Sequence, residues 1–425
     1  MKVTILYQYL QDRGQPGHQL MLAFAQYLRS RQDDAVVVAG EYGYMDPKKV
    51  QLAPWRRVVR RETVDGVPVI RTYTLPYGHG SAFKRFFSYV SFSITCLLGL
   101  LSGPRPDVIY ASSPPLFPMF SAWLASRLRR APLILEVRDL WPDSLVELGL
   151  VKNQVLIRAM SRIERFLYDR VDAIVALTDG IRKDIIRRGW PEEKVHTISY
   201  GISPAQFHAD DTGRRRIRAA SGWANQNIVA YVGAHGRANN LDVILRAARH
   251  LRHRTDIRFV LIGDGLEKVQ LMADAKSMEL TNLVFHPPIA ADSAPAYINA
   301  ADLCVVTLRD VPLFAGAIPT KLIEYMACEK PVVLGVRGEA EDIVKSANAG
   351  VVFAPNDDAQ LASLVEKLID DPERCRVLGR NGSTYVRQNF LLERNQARLY
   401  ELLLATTRSR ATVTGSDRDR LRSGS

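Results

Sequence analysis

The stretch "FAGAIPTKLIEYMACEKPVV" (Phe314–Val333) contains a complete unit of loop, helix and strand. The apolar letters in "LIEYM" have the spacing of one helix face, and the preceding Pro319 and Thr320 predict the helix start, with Thr320 as the expected cap. Pro331 predicts the helix end, and the "VVLGV" that follows predicts a short buried strand. This unit is typical of parallel α/β proteins, whose strands are covered on both faces by helices.

The same alternation of apolar strands and amphipathic helices runs through the whole chain. Thirteen short strands are predicted, most of them continuously apolar: residues 3–9, 35–40, 67–72, 107–113, 133–139, 173–178 and 195–201 in the first half, and 227–234, 257–265, 283–287, 303–308, 331–336 and 350–354 in the second. The parallel α/β pattern therefore occurs twice, which predicts two Rossmann-like, doubly wound domains.

A polar run, "SYGISPAQFHADDTGRRR", separates the two patterns and predicts the domain boundary. We expect an N-terminal domain at residues 1–204 and a second domain at residues 205–385. A terminal helix at 386–405 is expected to cross back to the first domain, and residues 406–425 to form a disordered basic tail. Parallel sheets bind ligands beyond the carboxyl ends of their strands, so two such domains are expected to face a central cleft.

The chain has 425 residues and a net charge of +12. Residues 1–200 hold 28 Lys and Arg against 19 Asp and Glu, so the basic excess lies mainly in the first half. This excess predicts an anionic partner there: nucleic acid, a phosphate-bearing substrate or an anionic bilayer surface. The four cysteines form no CxxC or Cys/His cluster, which predicts no metal site and a reducing, cytoplasmic location. No signal peptide is predicted.

Several polar residues of the first half follow directly after predicted strands. Gly14 and Gly17 follow the first strand, where glycines admit an anion or a sugar close to the backbone or serve only the turn. Arg138 and Asp139 end a strand in "EVRDLWPDS" and place a guanidinium and a carboxylate at the rim of the predicted cleft. The alternative is an Arg-Asp pair that only holds the loop.

In the second half, "YVGAHGRANN" resembles a loop built for phosphate approach. Gly233 and Gly236 leave room for a ligand, and Arg237 offers positive charge. "VLIGDG" is a second strand-to-helix turn, which could equally be a plain tight turn. Lys321 and Glu324 are three residues apart on one helix, so they are either ligand-binding groups or a surface ion pair.

The order and spacing of "YVGAHG", "LIGDG", "VFHPPI", "AYINAADLCVVTL" and "IPTKLIEYMACEKPVV" resemble the donor domain of glycosyltransferase family 4. "SPPL", "EVRDLWPDS" and "AGAIPTKLIEYMA" look like the subgroup that builds bacterial surface polysaccharides such as O-antigen and lipopolysaccharide. The resemblance implies the GT-B fold and transfer of a sugar from a nucleotide diphosphate, with retention of configuration and without a metal. The implied donor is a UDP-sugar bound by the domain at 205–385, with an N-acetylated deoxyhexosamine as one candidate sugar. The implied acceptor is a lipid-diphosphate-linked sugar bound by the domain at 1–204. No other cofactor is implied.

The resemblance also implies roles for individual residues. It places Glu324 against the donor ribose and Lys321 near the diphosphate or the sugar. The catalytic candidates are Arg138, Asp139 and Lys321. The donor-binding candidates are Gly233, His235, Arg237, Gly263, Gly265, Ile289, Arg309, Lys321 and Glu324. The acceptor-binding candidates are Gly14, Gly17, His18, Ser113 and Pro114.

The chain departs from the family pattern at several of these positions. The first glutamate of the family's E-x7-E pattern falls on Gly316, and the family's diphosphate-binding Arg and Lys fall on Ala234 and Asn239. The diphosphate charge is therefore expected from another side chain: His235, Arg237, Arg309 or Lys321. The histidine of the family's His-Asp pair falls on Arg138, and its aspartate is present as Asp139.

The most apolar segment lies at residues 83–103, with an uninterrupted core of sixteen residues from Phe86 to Leu101. It is either a buried helix of the first domain or a helix in the headgroup layer of a membrane, with Lys84 and Arg85 on phosphates. The second alternative places the protein on the inner face of the cytoplasmic membrane. The rival functions are a sugar-nucleotide epimerase of the same fold and a non-enzymatic membrane-binding protein. No nucleic-acid-binding motif is present.

Overall fold

The computed structural model describes residues 1–10, 20–41, 58–76 and 82–422, without the side chains of 82–83 and 411–422. The chain divides into two compact units. The first contains the chain up to Ser199 together with the segment from Arg394 onward, and the second contains Tyr200–Glu393.

The first unit is built on an eight-stranded sheet in the order β3-β4-β2-β1-β5-β6-β7-β8. Its strands are β1 (Lys2–Leu6), β2 (Asp34–Gly40), β3 (Val59–Val64), β4 (Val67–Thr72), β5 (Val108–Ser113), β6 (Leu133–Val137), β7 (Ala173–Ala176) and β8 (Val195–Thr197). All neighbours pair in parallel except β3 and β4. The strands that the sequence predicted in this half are all present as central or parallel members of the sheet.

Strand β3 was missed by the sequence analysis, and its composition explains why. It reads "VRRETV" and lies at the sheet edge, where its side chains alternate between partly buried and exposed positions. It pairs antiparallel with β4 through a tight turn at Asp65-Gly66, both with positive φ. A charged, half-exposed edge strand lacks the continuous apolar run by which the other strands were found.

The helices of the first unit cover the sheet. They are α1 (Leu20–Ser30), α2 (Ala82–Ser102), α3 (Phe117–Arg129), α4 (Asp143–Glu147), α5 (Gln154–Arg170) and α6 (Asp179–Arg187). The core under them is formed by apolar side chains of the strands and of α1, joined by Leu399 and Leu403 from the C-terminal segment.

The second unit has a six-stranded, entirely parallel sheet in the order β11-β10-β9-β12-β13-β14. The strands are β9 (Asn227–Val232), β10 (Ile257–Ile262), β11 (Leu283–His286), β12 (Leu303–Thr307), β13 (Val332–Gly335) and β14 (Gly350–Val352). β10 and β11 follow outward from β9 on one side of the sheet, and β13 and β14 follow outward from β12 on the other side. The doubly wound prediction is confirmed, and the topological switch point lies between β9 and β12.

Helices flank this second sheet, and apolar cores on both of its faces hold them there. They are α7 (Asp211–Ala220), α8 (Asp242–His250), α9 (Lys268–Ser277), α10 (Ala294–Ala300), α11 (Thr320–Ala327), α12 (Glu339–Ala347), α13 (Asp358–Ile369) and α14 (Pro372–Asn389). Helix α11 begins as predicted, but Pro319 occupies the cap position and Thr320 is the first helical residue. The helix ends at Ala327 with Cys328 as its C-cap, before Pro331, because Glu329 adopts a positive φ that does not continue a helix.

The C-terminal segment differs from the expectation in its extent. Helix α14 ends at Asn389 and α15 (Leu392–Arg422) follows, so the helix continues beyond residue 405, where a disordered tail was expected. Asn395 Nδ2 donates to Ser199 O at 2.9 Å, and Arg410 forms a 3.0 Å ion pair with Asp172. These contacts within the first unit stabilise the helix past the predicted end. The division between the units falls at Ser199, slightly before the predicted boundary at residue 204.

Candidate active site

The switch point of the second unit brings Lys321 to the end of β9. Lys321 Nζ donates to Tyr231 Oη at 2.5 Å and to Asn239 Oδ1 at 2.8 Å, and it lies 4.3 Å from the centre of the Tyr231 ring. A Cβ at Gly233 would lie 3.1 Å from Lys321 Cε, so glycine leaves the room that this lysine occupies. The ammonium thus donates to neutral oxygens and not to Glu324, and the alternative of a surface ion pair is wrong.

The environment of Lys321 destabilises its positive charge. Burial lowers the pKa of the amine to about 7, and the negative charge of Glu324 only partly opposes this. An ammonium has three N–H donors, so one remains beyond the two protein acceptors. A cation with neutral partners and an available donor is suited to bind an anion at this edge of the sheet.

The loop after β9 is held against the end of β12. Thr307 Oγ1 donates to Asn239 O at 2.6 Å, Arg309 N donates to Ala238 O at 2.9 Å, and Arg309 Nε donates to Arg237 O at 2.6 Å. The side chains of Arg237 and Arg309 are exposed, and Arg309 also lies 3.6 Å from a carboxylate oxygen of Glu267. The loop after β9 and the segment after β12 therefore each carry one accessible guanidinium group, Arg237 and Arg309.

His235 lies in the same loop but is completely buried. Burial and the nearby charges of Lys268 and Lys321 lower the pKa of its imidazole to about 4, although Asp264 opposes this. The ring is therefore neutral at pH 7. Of the four side chains expected to carry the diphosphate charge, His235 cannot supply a cation near neutral pH.

The two glycines of the turn after β10 are required by close backbone packing. A Cβ at Gly263 would lie 2.0 Å from Gly233 O, and one at Gly265 would lie 2.4 Å from His235 O. Gly263 also has a φ of +141°, which other residues rarely adopt. These glycines hold the two loops together and so position the Gly233 loop.

Two other donor-binding candidates, Glu324 and Ile289, also lie in the second unit. Glu324 lies one turn after Lys321 on α11, and only 9% of its surface is exposed. Ile289 is partly buried against the core of the second unit, after β11. Sequence reasoning missed Tyr231 as a partner of Lys321, although its position two residues before Gly233, on the same side of the strand, was an available signal. It also missed Lys268, which donates to Gly263 O at 2.6 Å and to His286 O at 3.2 Å.

In the first unit, Arg138 and Asp139 follow β6 as expected. Arg138 N donates to Ser113 O at 3.0 Å, and its guanidinium lies 5.2 Å from the centre of the Tyr7 ring. Asp139 is exposed, yet the surrounding protein limits the hydration of its carboxylate and raises its pKa to about 6, against the opposing charge of Arg138. Ser113 is buried at the end of β5, and Pro114 follows it through a cis peptide bond.

The remaining acceptor-binding candidates, Gly14, Gly17 and His18, lie outside the described residues. In the part of the chain that the structure does describe, no three His, Cys, Asp or Glu side chains are grouped so that they could hold a metal ion. Also within that part, α2 is the one helix whose length and composition would allow it to cross a membrane, and 39% of its apolar window is buried in the protein.

Comparison with known proteins identifies both halves of the chain. The family described as Glycosyl transferase 4-like domain matches residues 18–201, and the family described as Glycosyl transferases group 1 matches residues 213–385. The alpha-D-kanosaminyltransferase of Streptomyces kanamyceticus is 26% identical, over 62% of this chain and 68% of its own length. A GDP-mannose-dependent alpha-(1-6)-phosphatidylinositol monomannoside mannosyltransferase of Mycolicibacterium smegmatis is 28% identical, over 50% of this chain and 57% of its own length.

A solved structure supports the same assignment of the fold. Alr3699/HepE of Anabaena, in complex with UDP and glucose, superposes with a TM-score of 0.72 at 19% identity, over 95% of this chain and 99% of that one. The two family matches together span most of the chain and coincide with its two parallel-sheet units. The chain therefore belongs to the glycosyltransferases of family 4 type and has the GT-B fold.

Proposed function

We propose that this glycosyltransferase moves a sugar, with retention of configuration, from a UDP-sugar to a lipid-diphosphate-linked glycan in bacterial surface polysaccharide biosynthesis. The observation that carries the donor half of the proposal is the Lys321 cluster. It places an ammonium with neutral protein partners at the switch point of the donor-binding unit, where parallel sheets bind their ligands.

In this proposal Lys321 binds the diphosphate of the donor and stabilises the charge that develops as the diphosphate leaves. A preorganised cation is worth most where charge appears during the reaction, in a site from which water is excluded. The exposed Arg237 and Arg309 bind the outer phosphate oxygens. We assign this stabilisation to side-chain cations and backbone N–H groups, without a metal ion.

Glu324 is assigned to the ribose of the nucleotide. A carboxylate accepts two hydrogen bonds, and a ribose presents two neighbouring hydroxyl groups. Glu324 lies one helical turn from Lys321, so one short helix can bind the ribose and the diphosphate together. The nucleobase of the nucleotide sugar is then expected to contact the segment after β11, which includes Ile289.

The proposed reaction uses the same face of the sugar for departure and attack. The acceptor hydroxyl approaches the anomeric carbon from the side that the diphosphate vacates, so the C–O bond to the diphosphate breaks as the new C–O bond forms. The hydroxyl proton passes to the leaving diphosphate oxygen, and no protein nucleophile takes part. Asp139 and Arg138 are assigned to the reacting sugar and the incoming acceptor.

Two observations support a lipid-linked acceptor. The first half of the chain carries most of the basic excess, which favours an anionic diphosphate-bearing partner. The M. smegmatis relative has a lipid acceptor in its name, a phosphatidylinositol monomannoside. Its stated donor is GDP-mannose, so the nucleotide has to be determined experimentally for this chain.

The test is a donor screen with and without acceptor. The protein is incubated with UDP- and GDP-sugars, alone and with a lipid-diphosphate-linked monosaccharide, and release of nucleoside diphosphate is measured. We expect release from one UDP-sugar that depends on acceptor, and an α-linked product by NMR from an α-linked donor. A product of inverted configuration would overturn the retaining mechanism. Conversion of the donor to another nucleotide sugar without acceptor would instead identify an epimerase.

A further inference from the structure

Helix α2 has two different faces, which resolves the two alternatives for residues 83–103 into one amphipathic element. One face packs into the first unit: Phe92, Cys96 and Leu100 are buried, and a Cβ at Gly99 would lie 2.6 Å from Thr72 Cγ2 of β4. Because this face belongs to the protein core, the helix cannot be surrounded by lipid.

The opposite face of α2 exposes large apolar side chains. Phe87, Ile94 and Leu98 are separated by seven and four residues, which places them on one side of a helix. Ile94 is 66% exposed, and the other two are exposed to more than two fifths. A run of exposed apolar side chains on one helix face differs from the isolated exposed residues that are normal on soluble proteins.

Helix α3 extends this apolar surface. The Phe86 ring of α2 lies 5.6 Å from the Phe117 ring of α3, so the two helices are neighbours. Phe120 and Leu128 of α3 are both exposed, and Leu128 is 59% exposed. We call the surface formed by Phe87, Ile94, Leu98, Phe120 and Leu128 the α2/α3 face.

The charge around the α2/α3 face is entirely positive on these helices. Neither α2 nor α3 contains Asp or Glu, while Lys84 precedes the apolar stripe and Arg127 and Arg130 are exposed beside Leu128. Arg127 and Arg129 donate to the backbone carbonyls of Arg170 and Gly103, both at 3.1 Å. These acceptors carry no charge, so the guanidinium groups keep theirs.

We propose that the α2/α3 face docks on an anionic lipid bilayer, with its apolar side chains in the acyl boundary and its arginines on lipid phosphates. The combination of exposed apolar side chains and adjoining cations is the chemistry of helices that lie in the headgroup layer. The helix lies on the membrane and does not cross it, because its other face packs in the protein. Docking deepens the proposed function, since it brings the enzyme to a lipid-linked acceptor. Only this consequence of docking rests on the proposed function.

The test is co-sedimentation with vesicles of phosphatidylcholine alone or with about a third phosphatidylglycerol. We expect binding only to the anionic vesicles, weakening steeply with added salt because exposed charges are screened. The double variant Ile94→Asn with Leu98→Asn should bind about tenfold or more weakly, since two apolar anchors are lost. Its matched control is Val269→Asn with Met272→Asn on α9, where the side chains are also exposed and apolar; this variant should bind like the wild type.

A charge test uses the same design. Arg127→Glu with Arg130→Glu should reduce binding by at least tenfold, whereas Arg215→Glu with Arg216→Glu, an equal change of charge on exposed positions of α7, should reduce it much less. UDP binding is measured for every variant and should be unchanged. This readout identifies a variant that has failed to fold.

Several outcomes would overturn the proposal. Equal vesicle binding by the α2 variant and the wild type would show that the apolar face does not contact the lipid. Salt-independent binding to neutral vesicles would show that the arginines do not bind lipid phosphates. A concentration-dependent dimer that only the α2 variant disrupts would show that the face binds protein and not lipid. Undiminished vesicle binding by both the apolar and the charge variants, with transfer to a detergent-solubilised acceptor intact, would reject the docking face while leaving the proposed function in place.

Discussion

Lys321 of the second unit and Asp139 of the first are charged groups of opposite sign whose pKa values both move toward neutrality. Loss of hydration lowers the pKa of Lys321 to about 7 and raises that of Asp139 to about 6. Each group has one neighbouring opposite charge, Arg138 for Asp139 and Glu324 for Lys321, but the Lys321 ammonium donates its hydrogen bonds to the neutral oxygens of Tyr231 and Asn239. Loss of hydration therefore weakens the charge of both groups, and what sets Lys321 apart is that its two neutral acceptors position the ammonium and leave one N–H donor for an anionic ligand.

Removal of the Lys321 ammonium should have the largest effect on activity. Lys321→Met should lower kcat by about 10²- to 10³-fold, because the charge on the leaving diphosphate loses its preorganised cation. Turnover with the UDP-sugar and the melting temperature are measured together. The control is Lys345→Met on α12, an exposed lysine paired with Glu341, which should leave turnover unchanged. Full activity of the Lys321 variant would transfer the role to Arg237 or Arg309.

The ribose assignment predicts the next largest effect. Glu324→Ala should weaken UDP binding about ten- to a hundredfold, because a hydrogen bond to a charged group contributes roughly 1.5–3 kcal/mol. Affinity is measured by calorimetry, with Glu341→Ala as the control carboxylate on a neighbouring helix of the same unit. Unchanged affinity in the Glu324 variant would contradict the assignment.

The two pKa values together predict a narrow pH optimum. The proposed roles use Asp139 as a carboxylate and Lys321 as an ammonium. We therefore expect kcat/KM to fall below about pH 6, and to fall about tenfold per pH unit well above pH 7. Asp139→Asn should remove the acidic limb from the pH dependence of kcat/KM, and Lys321→Met should remove the alkaline limb from the pH dependence of UDP binding. An alkaline limb that survives in this variant would belong to another group.

Lys321 should also make the free energy of unfolding depend on pH. This free energy should rise over the pH range in which activity falls. Its pKa in the folded state lies below the ordinary value of 10.5, so the unfolded chain binds more protons between about pH 7 and pH 10.5. The unfavourable contribution of Lys321 is thus fully present below pH 7 and is relieved as pH rises through this window. The difference in unfolding free energy between wild type and Lys321→Met should follow this trend in denaturant titrations.

The smallest expected effect comes from the partner of Lys321. Tyr231→Phe removes one of its two acceptors and leaves Asn239 in place, so kcat/KM should fall only a few-fold. The alkaline limb should move to lower pH, because a hydrogen bond that favours the ammonium is lost. A limb that stays in place would show that Tyr231 positions the lysine without affecting its charge.

Local sequence patterns predicted the strands of this protein more completely than its side-chain clusters. A continuous apolar run is a local property, and it marked most of the parallel strands, all of which were predicted, including the short β14. The edge strand β3 escaped because its six residues are charged or half exposed. The same limit applied to α2, whose composition is mostly apolar although only one of its faces is buried.

Local patterns in the sequence were sufficient to predict the two α/β domains, the strand ends at which polar residues collect and the helix that carries Lys321 and Glu324. Only the tertiary structure decided that Lys321 meets Tyr231 and Asn239, which are 90 and 82 residues away along the chain. It also decided that His235 is buried and uncharged and that one face of α2 is exposed. Strands and helices follow from local periodicity, whereas hydration, and with it the charge of a side chain, depends on which distant segments pack around it.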